Sequence, residues 1–436
     1  MATRTLTVWI NGQPVADLQD VDSFWQLRYR TEWLADNNAY ALGPHLPLQT
    51  GPILDAGTLR PVQTFFDNLL PEEGQRLLLA DAARVTSADS FGLLAYYGAE
   101  SAGSLTLLPA GQALPADSGV QPLLFEQLSA RIVSMPRIPL VQAAPKKMSL
   151  PGAQHKLALI WDGKQLWEPR GSTPSTHILK PNHDSGGFPH SVANEYFIMR
   201  LAATLGLKVP AVTRLYVPEP VYLVERFDRV MRDGQWQRRH VIDACQMLGI
   251  ASGFKYSAGS IATYSRLAAQ TRPPMVTSRA LFQWLLFNVL VGNTDAHLKN
   301  ISCLVTKDGI SLAPHYDLLC TAVYETRMNE RGEWPDATTL ASDVLGTSRL
   351  AQCDTSRLLS VAEQLGVAGT AARSLLRGMV ERIVPAAEEL YEQIVLENAQ
   401  LSAAQPELRA VLNGEEAWLR GIVRIIIAEM AAKLAR

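Results

Sequence analysis

Short alternating runs of apolar and polar residues, broken by a few amphipathic stretches, occupy the chain as far as Asp243; beyond it helical spacing prevails. The opening "TLTVWINGQPVADL" alternates around Asn11-Gly12, a pair suited to the positive φ angles of a tight turn, and predicts a hairpin. "TFFDNLLPEEGQRLLLADAARV" predicts a helix with Pro71 near its start and Glu72 and Glu73 in its first turn. "GLLAYYG" and "GSLTLLP" then close a first α+β unit near Pro109. "AGQALPADSGVQP" is rich in Gly, Pro, Ala and Ser, and reads as a linker.

From Leu123 the character changes. "LLFEQLSARIV" predicts a helix, and "KLALIWDGKQLWEPR" a second hairpin around Asp162-Gly163. "THILKP" is a short strand, "SVANEYFIMRLAATLGL" an amphipathic helix ending at Gly206, and "VTRLYV" and "VYLVERFDRV" two more strands. After Asp243 helix is expected almost to the end, apart from "CLVTKDGISLAPHYD". The expected architecture is α+β: an N-terminal subdomain over 1–109, a linker over 110–122, a small β-rich lobe over 123–228 and a larger helical lobe over 229–436, with a cleft between the lobes.

Composition adds exclusions. A hydrophobic content of 47% and a charged content of 19% belong to an ordinary globular protein. The formal net charge of −2 announces no nucleic-acid or membrane partner. No stretch reaches the ~18 apolar residues of a spanning helix, and "MATRTLTVWINGQPV" lacks the apolar run of a secretory signal. Cys245, Cys303, Cys320 and Cys353 form no CxxC pair and read as buried thiols of a cytoplasmic protein.

The chemistry concentrates in "VGNTDAHLKN", Val291 to Asn300, which follows the apolar run "ALFQWLLFNVL". Asp295 and Asn300 are five positions apart, and Asp317 follows after a hairpin-like segment. Phosphoryl transfer needs a carboxylate to take the proton of the attacking hydroxyl, oxygen ligands for Mg²⁺ and a cation on the phosphates. Protein kinases place base Asp, metal Asn and metal Asp at this spacing. Lys180 ends the strand "THILK", and Glu195 on the next helix is a candidate partner for it. "SLPGAQHK", Ser149 to Lys156, could lay backbone N–H groups on phosphate around Gly152, and "VERF", Val224 to Phe227, lies where an adenine ring would be met. Individually these are ordinary residues: a solvated lysine, a surface glutamate, a turn glycine. Their order along the chain carries the reading.

Two other readings compete. Asp295 with His297, and His315 with Asp317, form DxH and HxD pairs that could bind two transition metals in a hydrolase. Helices such as "EEAWLRGIVRIIIAEMAAKLAR" could serve a non-catalytic transcriptional co-repressor, although no helix-turn-helix reader or Cys/His finger is evident.

Taken together, "FFDNLLPE", "SLPGAQHKLAL", "THILKP", "ANEYFIMRLAATLGL", "VERFDR", "CQMLG", "GNTDAHLKN" and "PHYDLL" resemble the HipA family of serine/threonine kinase toxins of bacterial HipA–HipB toxin–antitoxin systems. The resemblance implies a kinase-like core that uses ATP and Mg²⁺. It implies Asp295 as base, Asn300 and Asp317 as metal ligands, and Lys180 on the ATP phosphates. The nucleotide loop would be Pro151, Gly152, Ala153, Gln154, His155 and Lys156, and the adenine hinge Glu225, Arg226 and Phe227. His297, Leu298, Lys299 and Tyr316 would make further nucleotide contacts. It also implies autophosphorylation at Ser149, beside Lys146 and Lys147, glutamyl-tRNA synthetase as substrate, and a HipB-like DNA-binding antitoxin with which operator DNA is bound. It assigns no DNA-contacting or substrate-docking position.

Overall fold

The structure, a computed structural model, describes residues 3–115, 117–135 and 137–436, and its chain divides into two compact units. The first comprises the chain up to Pro181, Leu223–Phe254 and Ser302–Ala313; the second comprises Asn182–Tyr222, Lys255–Ile301 and Pro314–Arg436. Both mix α and β, the first rich in sheet and the second mainly helical.

In the first unit the strands Arg4–Ile10 and Gln13–Val21 pair antiparallel through Asn11 and Gly12, whose φ angles of +46° and +89° are those the Asn-Gly pair predicts. They form a five-stranded sheet in the order Ile53–Leu54, Phe24–Tyr29, Gln13–Val21, Arg4–Ile10, Leu105–Pro109. Leu6, Val8, Leu18 and Leu27 point into its core, each at most 1% exposed. The helix expected through Pro71 is two helices, Pro61–Asp67 and Glu73–Ala83. Pro71 lies in the break, since it can neither donate to a preceding turn nor leave Leu70 free to be helical.

A second sheet sets Ser118–Pro122, Leu166–Gly171, Leu157–Trp161 and His177–Pro181 side by side, with Pro220–Glu225 next to the last of these. Ser118–Pro122 falls inside the expected linker. It pairs residue for residue with Leu166–Gly171, from Ser118 opposite Gly171 to Pro122 opposite Trp167. As an edge strand with no buried residue it carries no apolar alternation to betray it. The hairpin Arg229–Arg232 with Gln235–Arg238 was not foreseen either, because four-residue strands of mostly polar side chains resemble a loop. A third sheet joins Val241–Asp243, Ser302–Thr306 and Gly309–Leu312. The first unit therefore takes in chain well beyond residue 228, and residues 182–222 belong to the second.

The second unit is built on the helix Pro274–Leu290, eleven of whose seventeen residues are buried. An apolar helix with no polar stripe belongs inside a bundle. It packs against Ile261–Ala269, Thr355–Gln364, Ala428–Leu434 and the 36-residue helix Gly369–Ala404, and the unit also holds Ser191–Thr204 and Arg409–Gly421. Residues 318–354 carry short 3₁₀ turns instead of the helix expected there. No helix among the described residues is long and apolar enough to cross a membrane.

Candidate active site

Asp295 stands on a turn that the buried helix Pro274–Leu290 leads into. The chain leaves that helix through Gly292, whose φ is +63° and whose missing Cβ would lie 2.7 Å from Ile426 Cγ2 and 2.8 Å from Ala322 Cβ. Only glycine satisfies both the left-handed backbone and the close approach. Ile426 belongs to the π-helix Ile422–Ile427, a helical irregularity often found beside functional sites. Gly292→Ala is expected to cost roughly 1–3 kcal/mol through overpacking alone, read as a lowered Tm in thermal unfolding. An unchanged Tm would show that the turn tolerates a side chain.

A ladder of amides then fixes the turn. Asn288 Nδ2 donates to the Trp284 carbonyl and Asn293 Nδ2 to Asn288 Oδ1, each at 2.8 Å. The Asp295 N–H donates to Asn293 Oδ1 at 3.1 Å, and Asn300 Nδ2 donates to the Asp295 carbonyl at 3.0 Å. Asn293 and Asn300 are both buried, so these bonds form away from competing water and hold the loop firmly. The arrangement leaves the Asn300 amide oxygen as an acceptor. On the other side the Thr294 N–H donates to Thr321 Oγ1 at 2.5 Å and the Ala322 N–H to the Gly292 carbonyl at 2.9 Å.

Tyr256 donates its hydroxyl to Asp295 Oδ1 at 2.8 Å, and its ring meets that of His297 edge-on at 4.9 Å. Sequence reasoning missed Tyr256, because a lone tyrosine in "GFKYS" carries no spacing signal. His297, Leu298, Lys299 and Asn300 are all buried. Tyr316 donates to the Lys299 carbonyl at 2.7 Å, and Asp317 sits at φ +57°, a left-handed conformation rare outside glycine. A non-glycine residue held there points to a functional constraint on its carboxylate. Burial raises the Tyr222 hydroxyl pKa well above its usual value, and the Glu195 and Asp317 carboxylates add to the shift. This places both carboxylates near one buried phenol. Glu195 is 5% exposed, which removes the surface-charge reading.

His315 behaves differently. Its ring stacks on Trp284 with centroids 6.2 Å apart, and burial pushes its pKa down to about 4. It packs in the core as a neutral ring. Among the described residues no group of three or more His, Cys, Asp or Glu could hold a metal ion. The paired-metal arrangement of Asp295, His297, His315 and Asp317 therefore lacks its ligands. Asn300 and Asp317 offer the hard oxygen donors that suit Mg²⁺, which needs only one or two protein carboxylates when phosphates complete its shell. They fit that ion.

The remaining candidates lie in the first unit. Lys180, on the strand His177–Pro181, is 5% exposed, and a lysine so buried must be paired. In the nucleotide loop Gly152 has φ +113°, and a Cβ there would stand 2.5 Å from Lys156 Nζ. Lys156 donates back to the Pro151 carbonyl at 2.8 Å and Gln154 to the Pro181 carbonyl at 2.9 Å, while His155 is buried and Ala153 exposed. Ser149 is 1% exposed: its N–H donates to the Glu100 carbonyl at 2.8 Å and its hydroxyl to the Leu69 carbonyl at 2.9 Å. Lys146, three positions before it, is paired with Glu100 at 2.9 Å.

At the expected hinge Glu225 is exposed, but the other two side chains are engaged in structure. Arg226 binds Asp228 at 2.7 Å and Glu100 at 3.3 Å, and its N–H donates to the Thr176 carbonyl. Phe227 packs on Val241, Leu304 and Ala313. Of "VERFDR", the arginines and the aspartate are thus built into an ion cluster that the sequence did not reveal.

Residues 6–108 match the HipA N-terminal domain and residues 148–387 the HipA-like C-terminal domain. The chain is 34% identical over 407 residues to the protein Y4mE of Sinorhizobium fredii, covering 90% of this chain and 93% of that one. It is 31% identical over 344 residues to the serine/threonine-protein kinase toxin HipA of Shewanella oneidensis, covering 74% of this chain and 76% of that one. Among solved structures it is similar to the Shewanella oneidensis HipA chain in a complex of HipA, HipB and operator DNA. The TM-score is 0.77 and the identity 26%, over 98% of this chain and 99% of that one.

Proposed function

We infer the activity from one premise: the chain belongs to the HipA family. On that premise it is the kinase toxin of a toxin–antitoxin pair, and it transfers the γ-phosphate of ATP to a protein serine. The observation that carries this reading is the loop from Asp295 to Asn300. The carboxylate is oriented by Tyr256, and Asn300 is tied to the carbonyl of the same aspartate. Base and metal ligand thus share one rigid turn, as phosphoryl transfer by positioning requires.

In the proposed reaction Asp295 accepts the proton of the attacking serine hydroxyl. The serine Oγ–phosphorus bond forms, the bond from the γ-phosphorus to the bridging oxygen breaks, and ADP leaves with that oxygen. Asn300 and Asp317 hold Mg²⁺, which when bound neutralises charge on the phosphates. Lys180 supports the phosphates, with Glu195 as its partner. Residues Pro151 to Lys156 offer backbone donors to phosphate, and the backbone of Glu225 to Phe227 faces adenine. His297, Leu298, Lys299 and Tyr316 complete the nucleotide contacts.

Ser149 is proposed as a site of self-phosphorylation. A phosphate carries about −1.5 to −2 charges and has no room where the hydroxyl now meets the Leu69 carbonyl, so the modified segment must leave its place. Gly152 leaves with it, the nucleotide loop is lost, and the product is inactive. The resemblance to HipA supports glutamyl-tRNA synthetase as the substrate. The solved complex of a relative with HipB and operator DNA supports a HipB-like antitoxin and operator DNA as partners. A metal-dependent hydrolase is disfavoured by the stacked, buried His315, and a purely non-catalytic co-repressor leaves the network on Asp295 without a use.

Incubating the purified protein with Mg²⁺-ATP and cytosolic extract, then mapping phosphoserines, tests the substrate. One dominant site in glutamyl-tRNA synthetase together with phospho-Ser149 is expected. Many weak sites would overturn the substrate, and unmodified Ser149 in an active preparation would overturn self-phosphorylation.

A further inference from the structure

One cluster in the first unit buries six charged side chains that do not balance. Glu100, fully buried, receives Lys146 at 2.9 Å, Arg226 at 3.3 Å, Arg229 at 2.8 Å and Arg238 at 2.5 Å. Asp228 receives Arg226 at 2.7 Å and Arg229 at 3.1 Å. Every one of these side chains is at most 9% exposed. Four cations thus face two carboxylates, a surplus of two positive charges in a place where charge is expensive to leave uncompensated.

The surplus can be located. Arg226 and Arg229 have donors engaged on every nitrogen: Arg226 with Asp228, Glu100, Ser175 and the Ser101 carbonyl, Arg229 with Glu100 and the carbonyls of Ser175, Gly103 and Asp228. Lys146 meets two acceptors with its three N–H groups, Glu100 and the Thr173 carbonyl. Arg238 meets two with its five, Glu100 and Thr106 Oγ1. These two incompletely used cations both line one cavity of about 530 Å³, together with Trp9, Ser172, Thr173 and Trp236. Trp9 Nε1 is buried without an acceptor among the described residues. Donors therefore predominate around this cavity. Burial lowers the Lys146 pKa, Glu100 opposes that shift, and the charges of Arg238 and Arg229 lower it further.

We propose that this cavity binds a phosphate dianion, free or as the head of a small phosphomonoester, on Lys146, Arg238 and the indole N–H of Trp9. Two negative charges match the surplus, and three oxygens can accept from the unused N–H groups of Lys146 and Arg238 and from Trp9 Nε1. The cavity is larger than phosphate alone requires, and the rings of Trp9 and Trp236 offer an apolar wall to an ester's organic part. Lys146, Arg238 and Trp9 are not among the residues assigned to the kinase site, so the proposal stands whether or not the kinase reading does.

Calorimetric titration of the full chain with inorganic phosphate, phenyl phosphate and acetate tests it. Phosphate is expected to bind at least about tenfold more tightly than acetate, and Lys146→Met to weaken it at least about tenfold, as the loss of a charged hydrogen bond does. Trp9→Phe keeps the ring and removes only the donor, and is expected to weaken phosphate by about threefold to tenfold. Phenyl phosphate tighter than phosphate assigns the ester; equal affinity assigns the free ion. Equal binding of acetate would overturn the dianion. Binding that ATP abolishes while both variants leave it intact would put the phosphate elsewhere and overturn the site, and so would no binding at all.

Discussion

Asp295→Asn is expected to abolish nearly all phosphoryl transfer while ATP still binds. The amide has the size of the carboxylate and can still pair with the Tyr256 hydroxyl, so the turn set by Asn293 and Asn300 persists. What is lost is the acceptor for the serine proton. General-base removal costs about 10²–10⁴ in rate, and in phosphoryl transfer the same group also aligns the attacking hydroxyl. Single-turnover transfer and nucleotide affinity, measured on one preparation, separate the two effects. Wild-type turnover in the variant would remove Asp295 from the mechanism. Lost ATP affinity would mean that it shapes the nucleotide site instead.

A change outside that turn should be the most damaging to folding. Glu100→Gln preserves shape but leaves Lys146, Arg226, Arg229 and Arg238 around a neutral amide, with Asp228 the one carboxylate left in the cluster. Breaking a buried ion pair from one side costs about 3–5 kcal/mol, which for a chain of 436 residues, with an unfolding entropy of about 2.1 cal/mol/K per residue, lowers Tm by roughly 3–6 °C. The same carboxylate gives stability a pH dependence. Burial alone would raise its pKa, but the four cations, Arg238 and Lys146 foremost, hold it well below the ordinary range. A group lowered in the folded state contributes stability fully above its unfolded pKa of about 4.3 and loses it as pH falls through the folded value. Wild-type stability should therefore fall with acid below about pH 4, and Glu100→Gln should show a shallower fall. Parallel curves would mean that the cluster does not govern acid stability.

The cluster also shows where the sequence stopped being informative. Glu100 finds Arg226, Arg229 and Arg238 more than 120 positions away, and no local pattern encodes such a meeting. "VERFDR" could be noticed as a motif, yet its arginines read as hinge residues and not as ties to "GAES". The elements that were legible have local causes: the Asn11-Gly12 hairpin, the strands around Asp162-Gly163, and the helix ending at Gly206, whose φ of +86° terminates it. Those that were missed are a polar edge strand, Ser118–Pro122, whose partner Leu166–Gly171 is distant in sequence, and a short hairpin, Arg229–Arg232 with Gln235–Arg238, whose strands are mostly polar. At the candidate site, the Asp295-to-Asn300 spacing and Asp317 stand out in the sequence because phosphoryl-transfer chemistry would fix residue type and interval. Tyr256 and the amide ladder through Asn288 were not, since their roles arise only when the helix end folds back on itself.

The central claim is that this turn moves a phosphoryl group. Its most direct test follows label from γ-³²P ATP into protein, with and without Mg²⁺, for wild type and Asp295→Asn side by side. Acid-stable label on serine that requires Mg²⁺ and vanishes in the variant is expected. Protein that binds ATP with Mg²⁺ yet transfers no label to any serine, or label that persists undiminished in Asp295→Asn, would contradict it.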